Sequence, residues 1–501
     1  MNKFTNMFWT SLTIGVLFVI WGVLFPEHLL SVMTTTKNQV LNTFGWFYQF
    51  CVALFFIGAL VIAFSRFGQI KLGKEGETPE YSRPTWFAML FSAGMGIGLI
   101  FYGVAEPMTH YESPPYGESG TIEAAKLGLK YSYLHWGFSA WAVYSVVALT
   151  LAYYKFKKDK PGLMSTTLYP VIGDRINGPI GKLVDITAVF ATLFGVAISL
   201  GIGSSQINGG LHYMFGIPNN YGVQLVIMLV TMVLFITSAA TGISKGIKIL
   251  SNTNLILAGF LLLSFLVLGQ TQFVLELYSA TFGSYVQDLI HMSFRFTPFQ
   301  EDSNQWIKDN TIFYWSWWVA WSPFVSTFIA RVSKGRTVRE FILTVVIAPA
   351  VVCTLWFGVF GGNALFLDYV QGLDVAGQSL ENSLFFVMEQ LPFSGLLSIA
   401  GIILISTFFI TSADSAIFVL GMQTSNGSLN PPFFVKLSWG IILTAIAAIL
   451  MWTGGIGGLQ AATIIAGLPL AVILLIMGAG LIKVFRTDMM KQKKKKDQHA
   501  A

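Results

Sequence analysis

The sequence predicts an all-α polytopic membrane protein of twelve transmembrane helices, two N-terminal helices followed by a five-plus-five inverted repeat with broken helices. Three observations carry that prediction. Of 501 residues, 54% are hydrophobic and only 11% charged, where a globular domain has about a quarter charged. Apolar stretches of about 20 residues, each long enough to cross ~30 Å of hydrocarbon as a helix, recur from end to end. An outer-membrane barrel would instead alternate in segments of about ten residues. Two stretches carry an interruption, AGMGIG in the third and Ser322-Pro323 in the eighth, and four stretches follow each. Two five-helix units that each open on a broken helix are the pattern of an inverted-repeat secondary transporter.

In order, the spans are expected at about 9–29, 45–64, 85–105, 132–154, 183–204, 221–241, 251–270, 311–330, 340–361, 393–422, 432–453 and 458–483. The first has only Lys3 before it and no small-residue cleavage site after it, so it reads as a retained span, not a signal peptide. Alternate loops carry the cations: Arg66, Lys71, Lys74 and Arg83; Lys155, Lys157, Lys158 and Lys160; Lys245 and Lys248; Arg331, Lys334, Arg336 and Arg339. Residues 205–220 and 362–392 hold no Lys or Arg. The positive-inside rule then places the basic loops and both termini in the cytoplasm, which an even number of spans also requires. The organisation is 1–84, an N-terminal cytoplasmic end with two peripheral spans; 85–272, the first repeat unit; 273–310, an outer-face segment; 311–484, the second unit; and 485–501, a basic tail. Residues 273–292 are amphipathic, with Glu276 and Asp288, and read as an interfacial helix rather than a thirteenth span. The tail holds Lys491 and Lys493 to Lys496. It reads either as a solvated terminus or as a sensor of anionic lipid, at about 1 kcal/mol per basic residue near such a surface. Cys51 and Cys353 fall in apolar stretches and read as buried thiols.

Chemistry concentrates at three places. In FSAGMGIGLIFYG, Gly94, Gly96 and Gly98 flank Met95 and Ile97. Glycine costs roughly 1 kcal/mol against alanine inside a helix, so the run reads either as close helix packing or as unwound backbone beside a cavity. The fourth span, YLHWGFSAWAVYS, puts Trp136, Trp141 and Tyr144 within an arc of about 140° at helical spacing. The eighth crowds Trp315, Trp317, Trp318 and Trp321 into seven residues. Stacked indole faces bind quaternary ammonium, a cation without N–H donors; simple packing is the competing reading. Within STFFITSADS, Thr411 and Ser412 offer the adjacent oxygens that hard cations prefer, although such hydroxyls also bond back to helical carbonyls. Asp414, nearby, suits pairing with a loop cation. The six histidines are scattered along the chain, and no metal spacing, catalytic cysteine or nucleic-acid motif is present. A channel remains the alternative from a different class.

AGMGIGLIFYG, HWGFSAWAVYS, FYWSWWVAWSPFV, ARVSKGRTVREF and FFITSADS together resemble the betaine/choline/carnitine transporter family, most nearly its sodium-coupled glycine betaine members. The resemblance runs from about residue 10 to 485. It implies a LeuT-like fold, a homotrimer, the bacterial plasma (inner) membrane, and import of glycine betaine with sodium for osmoprotection. No cofactor other than that coupling ion is implied. The family's aromatic box falls on Trp136, Trp141, Tyr144 and Trp318, with Trp317 and Trp321 lining the same pathway and Gly94, Met95, Gly96 and Gly98 around the carboxylate. Its sodium site falls on the carbonyls of Ser92, Met95 and Phe408 and the hydroxyls of Thr411 and Ser412. A second family sodium site would use Thr192 and Phe324, but Val196 stands where its second threonine belongs and supplies no oxygen. The seventh span, SNTNLILAGFLLLSFLVLGQ, lacks the arginine of sodium-independent members. Choline-preferring members carry an acid at the place of Gly98; a zwitterion's own carboxylate would be repelled there, so glycine favours betaine. Choline, carnitine and proton coupling are the alternatives within the class.

Overall fold

The computed structural model describes residues 4–74, 76–94, 96–241 and 244–500. Its main helices are α1 (Asn6–Leu24), α2 (Pro26–Phe64), α3 (Arg83–Gly94), α4 (Ile97–Glu112), α5 (Ile122–Trp136), α6 (Phe138–Lys157), α7 (Pro179–Phe215), α8 (Tyr221–Thr241), α9 (Ser244–Leu268), α10 (Thr271–Ser293), α11 (Ile312–Val332), α12 (Val338–Leu365), α13 (Ser394–Thr424) and α14 (Phe433–Ala500). Among the described residues there is no β-strand, and Lys71 and Thr337 form an isolated bridge. Large apolar side chains face outward on α8 and α9, including Val230, Val233, Ile256, Leu263 and Val267. A water-facing surface seldom tolerates such a contiguous patch; hydrocarbon does.

Nine helices among the described residues are long and apolar enough to span a bilayer. They cover ten of the twelve expected segments, because one candidate, Phe433–Lys491, contains the last two. Those two halves of α14 meet at Gly455, whose φ of 57° is left-handed backbone that glycine adopts without penalty. The other two expected segments are the interrupted ones, and they differ. The third is broken as expected between α3 and α4. The eighth is not: α11 runs unbroken through Pro323. Proline removes the amide that would bond the Val319 carbonyl, and the Ser322 hydroxyl donates to that carbonyl instead, at 2.7 Å. The expected interruption at Ser322-Pro323 is therefore corrected to a continuous helix.

A break appears where none was expected, in the fourth span. Gly137 separates α5 from α6 with non-helical backbone (φ −91°, ψ −137°). A Cβ there would lie 2.4 Å from the Tyr133 carbonyl and 2.7 Å from the Tyr285 hydroxyl, so only glycine fits. The Tyr285 hydroxyl accepts the Phe138 amide at 3.2 Å, which satisfies one donor freed by the break. Tyr285 belongs to α10, the amphipathic helix expected at 273–292, which also ties to α5 through Lys130 and Asp288.

The basic loops gather at one end. Lys334 pairs with Glu77 at 2.9 Å, Arg83 and Arg336 both reach Glu340 at 3.0 Å, and Lys74 reaches Asp159 at 3.2 Å. Cations of one loop meet acids of another, so three of the four basic loops share that face. Exposed pairs of this kind contribute at most about 1 kcal/mol each; their information is positional. Asp488, at the head of the basic tail, docks on the same face through Lys158 (2.8 Å) and Tyr153. Cys51 and Cys353 are free and buried.

Candidate functional site

The break between α3 and α4 leaves Gly96 extended (φ −135°, ψ −171°) before Ile97 restarts the helix. Gly94 is the last residue of α3. Met95 and the Ser92 side chain lie outside the described residues. A Cβ on Gly96 would stand 2.9 Å from Cη2 of Trp321, and one on Gly98 would stand 2.8 Å from Cη2 of both Trp136 and Trp317. The glycines therefore admit indole rings from α5 and α11 against the backbone of α4. This gives Gly98 a steric reason to be glycine, independent of the substrate's charge.

Those rings form one buried cluster. Trp317 and Trp318 stack at 5.0 Å and 11°; Trp136 meets Trp318 edge-on at 4.8 Å and Trp317 at 6.0 Å. Tyr144 lies 6.3 Å from Trp318 and 5.7 Å from Trp141, and Trp321 lies 5.9 Å from Trp317. All six expected aromatic residues are thus joined, although the break at Gly137 means that Trp136 and Trp141 do not share one helix face. Fixed acceptors aim the indoles. Trp317 and Trp321 both donate to the Gly195 carbonyl, at 3.2 and 2.6 Å, and Trp318 donates to the His135 carbonyl at 2.7 Å. These separations are those of rings packed directly on one another.

A cavity of about 560 Å³ lies beside the cluster, lined among others by Trp321, Phe324, Phe408, Thr411, Ser412 and Asn254. Its far wall includes Tyr81 and Val332, at the end that carries the basic loops. Trp321 belongs to both cavity and cluster and joins them. The expected ion ligands Phe408, Thr411 and Ser412 share this wall. Thr411 donates back to the carbonyls of Thr407 (2.9 Å) and Phe408 (3.2 Å), as such hydroxyls do in helices. It also accepts from Nδ2 of Asn254 at 3.2 Å. The Oδ1 of that same carboxamide is buried without a partner, an oxygen that suits a hard cation. Among the described residues, the hydroxyl and amide oxygens on this wall are of the type a sodium ion takes. The doubtful pair separates: Thr192 is buried with its hydroxyl on the Ala188 carbonyl at 2.8 Å, whereas Phe324 lines the cavity. Asp414 accepts from Ser238 at 3.4 Å, while the nearby Lys436 donates to the Ala239 carbonyl.

Sequence reasoning missed a polar cluster behind the aromatic rings. Glu106, His110 and His135 are all buried and bring their ligand atoms within 4.8 Å of one another. The histidines are therefore not all scattered. The i, i+4 spacing of Glu106 and His110 at the end of an apolar run was the available signal; His135 arrives from another helix and only the fold reveals it.

A family model described as "BCCT, betaine/carnitine/choline family transporter" matches residues 6–490. The glycine betaine transporter OpuD of Bacillus subtilis is 49% identical over 495 residues, covering 99% of this chain and 97% of that protein. A probable glycine betaine transporter of Desulfitobacterium hafniense is 40% identical over 494 residues (97% and 98% covered). An ectoine/hydroxyectoine transporter of Virgibacillus pantothenticus is 42% identical over 506 residues (99% and 100% covered).

Proposed function

The chain belongs to the betaine/carnitine/choline transporter family, and on that premise we propose that it is a secondary active symporter that imports glycine betaine with sodium. It is a multi-span membrane transporter and not an enzyme. The observation that carries the reading is the indole cluster joined through Trp321 to a cavity whose wall includes Asn254, Thr411 and Ser412. Trp136, Trp141, Tyr144, Trp317, Trp318 and Trp321 would hold the trimethylammonium group by cation–π attraction, about 2 kcal/mol or more per desolvated contact. The backbone about Gly94, Gly96 and Gly98 would accommodate the carboxylate. The sodium cargo would lie among Phe408, Thr411 and Ser412 on α13 and the carbonyls of Ser92 and Met95. Substrate and ion would then both favour the state that draws α3–α4 and α13 together, which couples them.

The same reading makes 85–272 and 311–484 the two inverted units of a twelve-span protein. It sets the chain in the bacterial plasma membrane as a homotrimer, termini and basic loops in the cytoplasm, serving osmoprotection. The cavity would then face the cytoplasm. The deciding experiment is uptake of labelled glycine betaine into proteoliposomes, with choline, carnitine and ectoine as competitors, under sodium or proton gradients. Saturable, concentrative uptake that requires sodium and prefers betaine is the expected result. Uptake indifferent to sodium would remove the coupling, and uptake that only follows the substrate's own gradient would make the protein a channel.

A further inference from the structure

Glu106 is 2% exposed. A carboxylate in such surroundings is costly and marks function by default. Both of its oxygens are engaged. Oε2 accepts the Trp136 indole N–H at 2.6 Å. Oε1 faces Nδ1 of His135 at 2.6 Å and Nε2 of His110 at 3.3 Å. An indole nitrogen only donates, so Oε2 is an acceptor. His110 Nδ1 is buried without a partner, so its Nε2, facing Glu106, is the ring nitrogen placed to donate. His135 Nε2 lies 3.0 Å from the Thr311 hydroxyl, which can donate to it. Glu106 is thus held by one indole and two imidazoles, with no lysine or arginine among those contacts. The cations of neighbouring elements are engaged elsewhere: Lys130 with Asp288 and Ser284, Arg295 with Tyr131 and Ser303.

We propose that Glu106 is a specificity-determining residue, the counter-charge that makes the aromatic box select a cationic head group over a neutral one of the same shape. It acts through Trp136. A carboxylate bound to the indole N–H raises the electron density of the ring face, and that density is what attracts a cation. Its own charge also reaches the box through a buried, water-poor medium in which Coulomb attraction is weakly screened. Because it stands behind the indole, it does not meet a zwitterion's carboxylate, as an acid within the box would. One residue thus favours the ammonium end without repelling the other.

The proposal rests on the reading that the box binds substrate. Its test compares the KM for glycine betaine with the Ki of 3,3-dimethylbutyrate, in which a quaternary carbon replaces the nitrogen, on the full chain in proteoliposomes. Glu106→Gln keeps an acceptor for Trp136 and removes the charge. The KM for betaine should rise about tenfold, the order of one cation–π contact, while the Ki of the isostere stays within about twofold. Glu106→Asp, which keeps the charge, should hold the betaine KM nearer to that of the parent. His110→Lys sets an ammonium beside Glu106 and should lower the same selectivity, which keeps the proposal testable if Glu106→Gln does not fold. Equal weakening of both ligands, or an unchanged ratio in a folded variant, overturns it. Should the isostere bind too weakly to measure, the comparison of Glu106→Gln with Glu106→Asp decides alone. Normal transport by Trp318→Ala would instead overturn the box itself. Lost transport there, with an unchanged ratio in Glu106→Gln, overturns the counter-charge alone.

Discussion

A methyl group added at Gly98 separates two explanations for that glycine. Its Cβ would lie 2.8 Å from Cη2 of Trp136 and 2.8 Å from Cη2 of Trp317, with Cζ3 of Trp317 at 3.5 Å. Carbon atoms pack at about 3.5–4.0 Å, so each short contact must open by roughly 0.7 Å. Neither ring can yield freely. Trp136 is tethered to Glu106 at 2.6 Å and Trp317 to the Gly195 carbonyl at 3.2 Å, and the two rings are themselves in contact. Overpacking of this kind costs about 1–3 kcal/mol. Since the strain falls on two members of the box, Gly98→Ala should raise the KM for betaine about 5- to 150-fold and lower the melting temperature. Gly98→Asp adds a charge to the same clash. If the glycine excludes an acid on electrostatic grounds, Gly98→Asp should gain choline uptake that Gly98→Ala lacks; if sterics dominate, both should lose betaine uptake and neither should gain choline. Transport assays with both substrates, beside thermal unfolding of the purified variants, read every outcome. A Gly98→Ala variant with the parent's KM and melting temperature would refute the packing argument outright.

Other consequences follow from the same geometry. Trp318→Ala should raise the betaine KM at least tenfold, whereas Trp315→Ala should leave it within about twofold; Trp315 is equally buried but donates to Gln49 at 2.6 Å, so a comparable loss of stability serves as the control. Equal effects on KM would reduce the box to packing. Thr411→Ala should raise the sodium concentration for half-maximal uptake about tenfold, with a smaller effect at saturating sodium, and sodium titration of uptake measures it. Replacing Lys493 to Lys496 by glutamine should reduce activation by osmotic stress in liposomes containing anionic lipid; these positions lie beyond Asp488, so its contacts with Lys158 and Tyr153 are spared. Activation unchanged by that replacement would leave the tail a solvated terminus.

What was legible follows from what each signal measures. Composition and the spacing of cations report the solvent around a segment, so the apolar helices and the basic loops could be read directly. The break in the third span was legible because three alternating glycines leave only close helix packing or unwound backbone as readings, and the resemblance favoured the second. Pro323 misled for the opposite reason. Its missing amide predicts an interruption, yet whether a helix breaks depends on who takes the orphaned carbonyl, and Ser322, one residue earlier, does so within the same turn. Gly137 escaped notice because a single glycine is silent until neighbours crowd it, and beside the Tyr133 carbonyl the crowding atom is the Tyr285 hydroxyl, from a helix about 150 residues away. Glu106 was missed on the same principle, since its partners His135 and Trp136 come from α5 and only His110 from its own turn. The aromatic residues could be named in advance because their composition is extreme. Their aim could not, because the atoms that orient them are backbone carbonyls, such as that of Gly195, shared by Trp317 and Trp321. That shared carbonyl has a mechanical consequence. If the proposed box holds substrate, an indole that swung to admit it would have to release that carbonyl, so movement of Trp317 or Trp321 would be felt at α7.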